Sequence, residues 1–305
     1  MARRRKRPTG DPVNGVLLLD KHAGVTSNEA LQSARKLLNA QKAGHTGSLD
    51  PIATGLLPVC LGSATKWSGY FLGAPKCYAT TVRLGETTET GDCEGPVVAI
   101  SDRQVTRSEI EIALERFQGE FLQTPPMYSA IKVNGQPLYK LARQGIEVER
   151  ESREVTVSRL TVLEFDGRDV SLEIECSAGF YVRALATDLG DALGVGGHVV
   201  SLRRLGVADL RIEQAITLDA LERMETLSER REHLLHAGQA LTHLPAVELS
   251  VDAAFYVCRG QAVRSANLPK SGQVRLYSDS AGFLGVGVVE NGGVVAPERI
   301  ESAAG

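Results

Sequence analysis

Residues 155–177 read VTVSRLTVLEFDGRDVSLEIECS, two long runs in which apolar and polar side chains alternate on either side of Asp-Gly-Arg-Asp. A period of two puts successive side chains on opposite faces of a strand, and a Gly-containing break between two such runs marks a hairpin. A long antiparallel hairpin excludes a helical bundle and breaks the β-α-β rhythm of a doubly wound parallel sheet. The rest of the chain agrees. VNGVLLLDK (13–21) predicts a short buried strand and CYATTVRLG (77–85) a half-buried one, while TGDCEG (90–95) has the composition of a turn or long loop.

Helical spacing appears three times in the first two thirds. TSNEALQSARKLLNAQKAG (26–44) opens on a capping box of Thr26 and Glu29 and is expected to stop at Gly44. TRSEIEIALERFQG (106–119) has its box at Thr106 and Glu109 and Gly119 at its end, and GFYVRALATDLGDALG (179–194) is the third. Residues 216–244 are helical and charged in pattern, after which short strands and glycines dominate, as in GQVRLYS and AGFLGVGVVENGGVVAP. The expected fold class is therefore α+β, a mostly antiparallel sheet with helices. A domain boundary falls near residue 245, followed by a small all-β module over 245–305.

A chain of 305 residues buries a substantial core and has room for two domains. Its net charge of −3 conceals an asymmetry: residues 1–150 carry 19 Lys and Arg against 15 Asp and Glu, and residues 151–305 carry 15 against 22. Any surface for a polyanion must then be local. The basic cluster Arg3, Arg4, Arg5, Lys6 and Arg7, within a tail over 1–10, is either a solvated disordered segment or an arm on phosphates. Five scattered cysteines without a C-x-x-C pair give neither a disulfide framework nor a zinc site. With no apolar run of membrane-spanning length and no secretory signal, a reducing, cytoplasmic setting is expected.

The chemistry concentrates in GHTGSLDPIATGLLPV (44–59), where one carboxylate, Asp50, precedes a proline amid Gly, Ser and Thr. Pro51 biases Asp50 toward extended backbone. Asp50 is then either a turn residue or, held in a loop that lets backbone approach a ligand, a nucleophile for an electrophilic carbon. Neither a G-x-x-x-x-G-K-[ST] loop nor a G-x-G-x-x-G after the first strand is present, and no strand directly precedes the Asp50 loop, so cofactor-free chemistry is favoured. His45 has no second His or Cys at ligand spacing and is better read as a polar loop residue or a stacking ring. Tyr78 is a strand aromatic, core or otherwise. Arg183 stands in an apolar segment and, if buried, needs an anion.

Five stretches together resemble the TruB family of bacterial tRNA pseudouridine synthases: LLLDKHAGVTSNEAL, GHTGSLDPIATGLLPVCLGSATKWSGYFL, KCYATTVRLGETTETGDCEG, TPPMYSAIKVNGQPLYKLARQG and CSAGFYVRALATDLGDALGVGGHVVSLRRLGV. They occur in the family's order and span most of 14–210. The departures are Lys21-His22, where the family commonly has Lys-Pro, Ser48 in place of Thr or Ala, and the tail.

The resemblance implies a pseudouridine-synthase fold over 11–244 with a PUA-like RNA-binding barrel over 245–305. It implies isomerisation of uridine 55 in the T arm of tRNA, without metal or cofactor, by a monomer whose C-terminal domain reaches the acceptor end. Asp50 matches the catalytic aspartate, Tyr78 the tyrosine packed on the target base and Arg183 the arginine paired with the aspartate. His45, Tyr181 and Leu202 match residues lining the nucleotide pocket. Lys21 joins them as a substrate-binding candidate, one of several possible phosphate contacts with Lys42, Lys66, Lys76, Lys132, Lys140 and Arg143.

The implied reaction breaks a carbon-nitrogen glycosidic bond, turns the uracil and rejoins it through carbon 5, with no redox change. The base must leave its stack, at a cost of a few kcal/mol, and an aromatic face returns about 1–3 kcal/mol. Asp50 must be ionised, which a guanidinium neighbour favours. Attack on the sugar or on carbon 6 of the ring, and elimination through a glycal, both remain open. Two rivals use the same residues differently: a noncatalytic tRNA-binding protein, and a retaining glycosidase, which needs a second carboxylate about 5–5.5 Å from the first.

Overall fold

In the computed structural model, which describes residues 9–133 and 135–301, the first strand, β1 (Gly15–Lys21), lies inside an eleven-stranded sheet. Leu17 and Leu19 enter one apolar core, Val16 and Leu18 another, so this strand is apolar throughout because both faces are covered. The basic cluster Arg3–Arg7 lies outside the described residues.

Helix α1 (Ser27–Leu37) starts on the predicted box, with Thr26 N–H donating to the Glu29 carboxylate at 2.8 Å. Its end is a correction, since it stops well before Gly44. Asn39 takes a left-handed φ of 51°, and the N–H groups of Asn39 and Ala40 donate to the carbonyls of Lys36 and Arg35. Asparagine here closes the helix in the way glycine usually does. The residues that follow form β2 (Ala43–His45), antiparallel to β3 (Thr54–Leu61). The Asp50 loop is therefore a hairpin connection that leaves directly from a strand, contrary to the expectation that none precedes it.

A 3-10 turn (Gly62–Trp67) and α2 (Ser68–Leu72) lead to β4 (Lys76–Leu84). The short pair β5 (Glu86–Thr88) and β6 (Val97–Ile100) flanks the TGDCEG turn. Helix α3 (Arg107–Glu115) begins on its predicted box, and Gly119 opens β7 (Gly119–Gln123). An excursion carrying β8 (Lys132–Val133), β9 (Gln136–Pro137) and α4 (Leu138–Ala142) then returns to the long hairpin β10 (Arg153–Phe165) and β11 (Asp169–Cys176). Helix α5 (Val182–Leu193) ends on left-handed Gly194 and feeds β12 (Gly197–Val207).

Residues 216–244 are not helical throughout. After β13 (Leu210–Arg211) come β14 (Ile216–Thr217), α6 (Leu218–Arg223), α7 (Leu227–Glu232), β15 (Leu234–Leu235) and α8 (Ala237–Ala240). Both β14 and β15 pair with β1, so the exposed edge of the sheet draws two dipeptides of the helical pattern into strands. The main path through the sheet is β14-β1-β3-β12-β4-β11-β10-β7, antiparallel except at β1/β14 and β3/β12. At the second exception Gly55 faces Arg204 with φ 101°, and a Cβ there would lie 2.3 Å from the Arg204 carbonyl oxygen. Only glycine lets these strands meet.

The C-terminal residues form β16 (Ala246–Glu248), α9 (Val251–Val257), β17 (Val263–Arg264), β18 (Gly272–Ser278), β19 (Gly282–Glu290) and β20 (Val294–Ile300). The sheet, ordered β16-β18-β19-β20-β17, curls as a half-barrel around its own core. It is seated on the 3-10 turn and α2 through Trp67 edge-on to Phe283 (5.4 Å) and Tyr70 donating to Glu298 (3.1 Å). Among the described residues no helix is long and apolar enough to cross a membrane.

Candidate active site

The Asp50 loop is pinned from three sides. Leu49 is buried, its N–H donating to Ser27 Oγ (2.7 Å) while that hydroxyl donates to the Leu49 carbonyl (3.0 Å). Thr46 is fixed through its backbone N–H and its hydroxyl to the Pro58 carbonyl. Lys21, fully buried, donates to the carbonyls of His22 (3.0 Å), Pro51 (3.3 Å) and Ala53 (2.6 Å). With Leu49 inward and Pro51 fixing the backbone, the Asp50 side chain projects from the loop and is 37% exposed.

Arg183, one residue inside the start of α5, meets it there. Its Nε donates to Asp50 Oδ2 at 2.9 Å and its Nη2 to Oδ1 at 3.2 Å, a two-pronged pair. The guanidinium is only 6% exposed, and its other donors go to the carbonyls of Thr90 (3.0 Å) and Tyr128 (2.7 Å). Asp92 Oδ2 lies 3.5 Å from Nε. A buried guanidinium between two carboxylates holds one of them at the surface of the site in a fixed orientation, with little rotational freedom. The helix start itself is fixed by Gln123, which accepts from Tyr181 N–H (2.8 Å) and donates to the Tyr181 carbonyl (3.1 Å).

Tyr78 on β4 stands opposite Arg204 on β12, and Thr80 opposite Leu202, so Tyr78 and Leu202 share one face of the sheet beside the loop. Arg204 is buried and donates to the carbonyls of Leu56 (2.7 Å) and Gly47 (3.3 Å), tying the sheet to the loop. Burial pushes the Tyr78 phenol up, while the adjacent Arg204 pulls it down. The net rise means Tyr78 keeps its proton at neutral pH and can donate it. Burial, aided by Arg204, holds His45 below its ordinary value, so the ring is neutral at pH 7. Tyr181 is half-buried with its phenol raised by burial, and it too senses Arg183 and Asp50.

Of the seven candidate residues, Asp50 and Arg183 are in direct contact, Tyr78 and Leu202 share the adjacent sheet face, and His45 and Tyr181 flank the loop and the start of α5. Lys21 is the seventh. Its ammonium is enclosed by three carbonyls, so the geometry contradicts a phosphate contact and makes it a brace for the loop. Lys66 and Lys76 also donate to backbone carbonyls, at Ile300 and at Phe71, Leu72 and Ala74, whereas Lys42, Lys132, Lys140 and Arg143 are exposed. Thr90, Asp92, Gln123, Tyr128 and Arg204 were not singled out in the sequence. Two acids inside a Gly-bounded turn, TGDCEG, were the available signal for the turn. Asp92 supplies a second carboxylate near Asp50, but it is buried and accepts from Thr90 Oγ1 (2.6 Å) and Glu94 N–H (3.1 Å). It is committed to structure and cannot serve as a glycosidase acid.

Lys21 provides a pH handle. Burial brings it down to about 8, and Asp50 opposes the fall. Its pKa lies below that of an unfolded lysine, so its penalty to stability is full below about 8 and is relieved as pH rises toward 10.5. Raising pH through this window removes a positive charge near Asp50 without destabilising the fold through this group. Single-turnover rate is expected to fall with a midpoint near 8 while the melting temperature does not fall in step. A pH-rate profile flat up to about pH 9 would remove Lys21 from the account.

Potential metal ligands cluster among the described residues at Cys77, Glu173 and Glu175, on the sheet face opposite Tyr78, and the Arg159 guanidinium pairs with both glutamates. Two surface hollows, about 470 Å³ beside Asp11, Arg231 and His236 and about 330 Å³ beside Arg103 and Leu193, are remote from Asp50. Neither hollow is lined by Asp50, Tyr78 or Arg183, and the Asp50 carboxylate is itself reachable from solvent.

The family described as TruB family pseudouridylate synthase (N terminal domain) matches residues 35–182. The tRNA pseudouridylate synthase B C-terminal domain matches 183–244, and Pseudouridine synthase II TruB, C-terminal, matches 245–300. The chain is 49% identical over 291 residues to the tRNA pseudouridine synthase B of Pseudomonas aeruginosa (strain UCBPP-PA14), covering 94% of this chain and 96% of that one. It is 50% identical over 295 residues to that of Coxiella burnetii (strain Dugway 5J108-111), covering 95% of each. Among solved structures, a chain of a Cbf5-Nop10-Gar1 complex superposes with TM-score 0.73 at 29% identity, over 94% of this chain and 84% of that chain. A chain of an H/ACA RNP bound to a substrate RNA containing 2′-deoxyuridine gives 0.71 at 25%, over 97% and 91%.

Proposed function

The chain belongs to the TruB family of pseudouridylate synthases, and from that premise we propose that Asp50 is its reagent for isomerising uridine 55 in the T arm of tRNA. The enzyme is a tRNA pseudouridine synthase, converting uridine to pseudouridine in tRNA. The observation that carries the assignment of Asp50 is the two-pronged pairing of its partly exposed carboxylate with the buried Arg183. A turn residue needs no such partner.

The target uridine leaves its stack and enters beside Tyr78, whose ring supplies the face that the lost stacking requires. Leu202 and Tyr181 border the base, and neutral His45 stacks on the nucleotides displaced with it. Asp50 carries the charge that acts on the sugar or the ring, and Tyr78, protonated at neutral pH, supplies a proton where one is needed. Arg183 orients the carboxylate, and Lys21 braces the loop from beneath. The C-terminal module, packed through Phe283 and Glu298 against Trp67 and Tyr70, is read as a PUA-like domain reaching the acceptor end of the tRNA. The chain acts as a monomer in the cytoplasm, where its substrate is made.

Incubating the protein with T-arm RNA tritiated at carbon 5 of its uridines and counting released label tests the reaction directly. Release from the target uridine is expected, because carbon 5 gives up its hydrogen when it bonds the sugar. No release would refute the assignment. Affinity is expected to fall by roughly one to several powers of ten between about 50 and 200 mM salt, since phosphate contacts dominate such binding. A dissociation constant insensitive to salt in filter binding would contradict a tRNA substrate.

A further inference from the structure

Besides Asp92 Oδ2 at 3.5 Å, four hydrogen-bond acceptors surround the Arg183 guanidinium: the two oxygens of Asp50 and the backbone carbonyls of Thr90 and Tyr128. The two carbonyls come from different parts of the chain, the turn between β5 and β6 and the excursion between β7 and β10. These parts are joined to each other. The Tyr128 hydroxyl donates to the Glu89 carboxylate at 2.7 Å, and Glu89 directly precedes Thr90. Arg183, Thr90, Glu89 and Tyr128 therefore close a ring, in which one side-chain hydrogen bond fixes the spacing of the two carbonyls that hold the guanidinium.

The two sides of the ring differ in firmness. The turn is fastened by Glu89 N–H to the Pro96 carbonyl (3.0 Å), Cys93 N–H to Val199 (2.9 Å), Val199 N–H to Gly91 (3.0 Å) and Thr88 Oγ1 to the Asp92 carbonyl (2.7 Å). The excursion contains strands of only two residues and a five-residue helix, and much of it is exposed, including Lys132, Lys140 and Arg143. A weakly anchored segment that supplies one of the carbonyl acceptors of the key arginine needs a tie to a firm one.

We propose that Glu89 and Tyr128 are positioning residues for the isomerisation, a latch whose side-chain hydrogen bond sets Arg183, and through it Asp50, in reactive geometry. The latch touches neither the uridine nor the reacting atoms. It rests on the reading of Asp50 and Arg183 as the working pair, and it adds two residues outside that pair. Because it acts on orientation, it governs the rate of the chemical step and leaves RNA affinity alone.

The test is single-turnover tritium release at saturating protein, with filter binding and thermal melting on the same full-length variants. Tyr128→Phe keeps the ring and the backbone carbonyl and removes only the donor. Glu89→Ala removes the acceptor, and Glu89→Gln restores one. Glu89 is exposed and Tyr128 half-buried, so these variants are expected to melt with the wild type. The rate is expected to drop roughly tenfold in Tyr128→Phe and in Glu89→Ala, with affinity within about twofold, and the double variant to be no slower than either single one. Glu89→Gln is expected to recover most of the rate. Wild-type rates in both single variants, additive losses in the double, or a loss of affinity at unchanged rate would each overturn the latch. Absence of release by the wild type would instead overturn the underlying reading, so the two failures are distinct.

Discussion

Asp50→Asn is expected to abolish pseudouridine formation, lowering single-turnover tritium release by roughly four powers of ten or more, while T-arm affinity stays within about tenfold. The amide matches the carboxylate in shape and still offers one oxygen to Arg183, so the loop, anchored through Ser27, Thr46 and Lys21, keeps its course. Arg183 retains Asp92 as counter-ion at 3.5 Å, and the fold keeps its buried charge paired. What disappears is the negative charge and the nucleophilic oxygen. Phosphate contacts, which the account assigns to exposed basic side chains elsewhere, are expected to be untouched. Release at the wild-type rate would return Asp50 to the status of a turn residue. A large loss of affinity with normal release from bound RNA would make it a binding residue.

Arg183 carries two jobs, and its variants separate them. Arg183→Lys keeps a positive charge but offers three donors from one point in place of a planar fork, so it cannot serve both Asp50 oxygens and two carbonyls at once. A loss of about 10²–10³ in rate is expected from misplacement of the carboxylate. Arg183→Ala goes further, because it leaves Asp92, 6% exposed at its side chain, without a counter-ion. Removing one partner of a buried pair typically costs about 3–5 kcal/mol, and a shift of the denaturant midpoint of that order is expected. If Arg183→Ala unfolds at the wild-type denaturant concentration, the guanidinium is not the main support of Asp92. If Arg183→Lys turns over normally, two-pronged geometry is not required.

Much of this arrangement was legible in the sequence because local chemistry and tertiary structure agree there. The β10–β11 hairpin pairs as its alternation predicts apart from register shifts between Val157 and Arg159 and between Val162 and Glu164, and the capping boxes at Thr26 and Thr106 do in space what their spacing says. The Asp-Pro dipeptide in a small-residue loop and an arginine in an apolar helix are each ambiguous alone. Matched to one family's motifs they point to a pair, and they lie within hydrogen-bonding distance. The misses have physical causes. Asn39 ends α1 by adopting a conformation open to asparagine but not announced by it, so in the sequence the helical pattern runs on to Gly44. Leu234 and Leu235 suit a helix face equally well, and pairing with β1 decides between the two. Lys21 reads as a surface cation, since nothing local reveals three carbonyls converging on it from two turns. Arg204 sits beside Arg203 in a strand, and alternation sends Arg203 to Asp20 and Arg204 inward. Which of the two faces the loop depends on register that the sequence does not encode locally.

The glycal and addition routes differ in which atom of the nucleotide Asp50 approaches, but both require that it approach one. The decisive measurement is a crystal structure of the protein bound to a T-arm stem-loop. The account predicts the target uridine out of its stack against the Tyr78 ring, with an Asp50 oxygen about 3–3.5 Å from a sugar or ring atom and Arg183 still gripping the carboxylate. A uridine stacked within its loop, or lodged away from Asp50 and Tyr78, would contradict it.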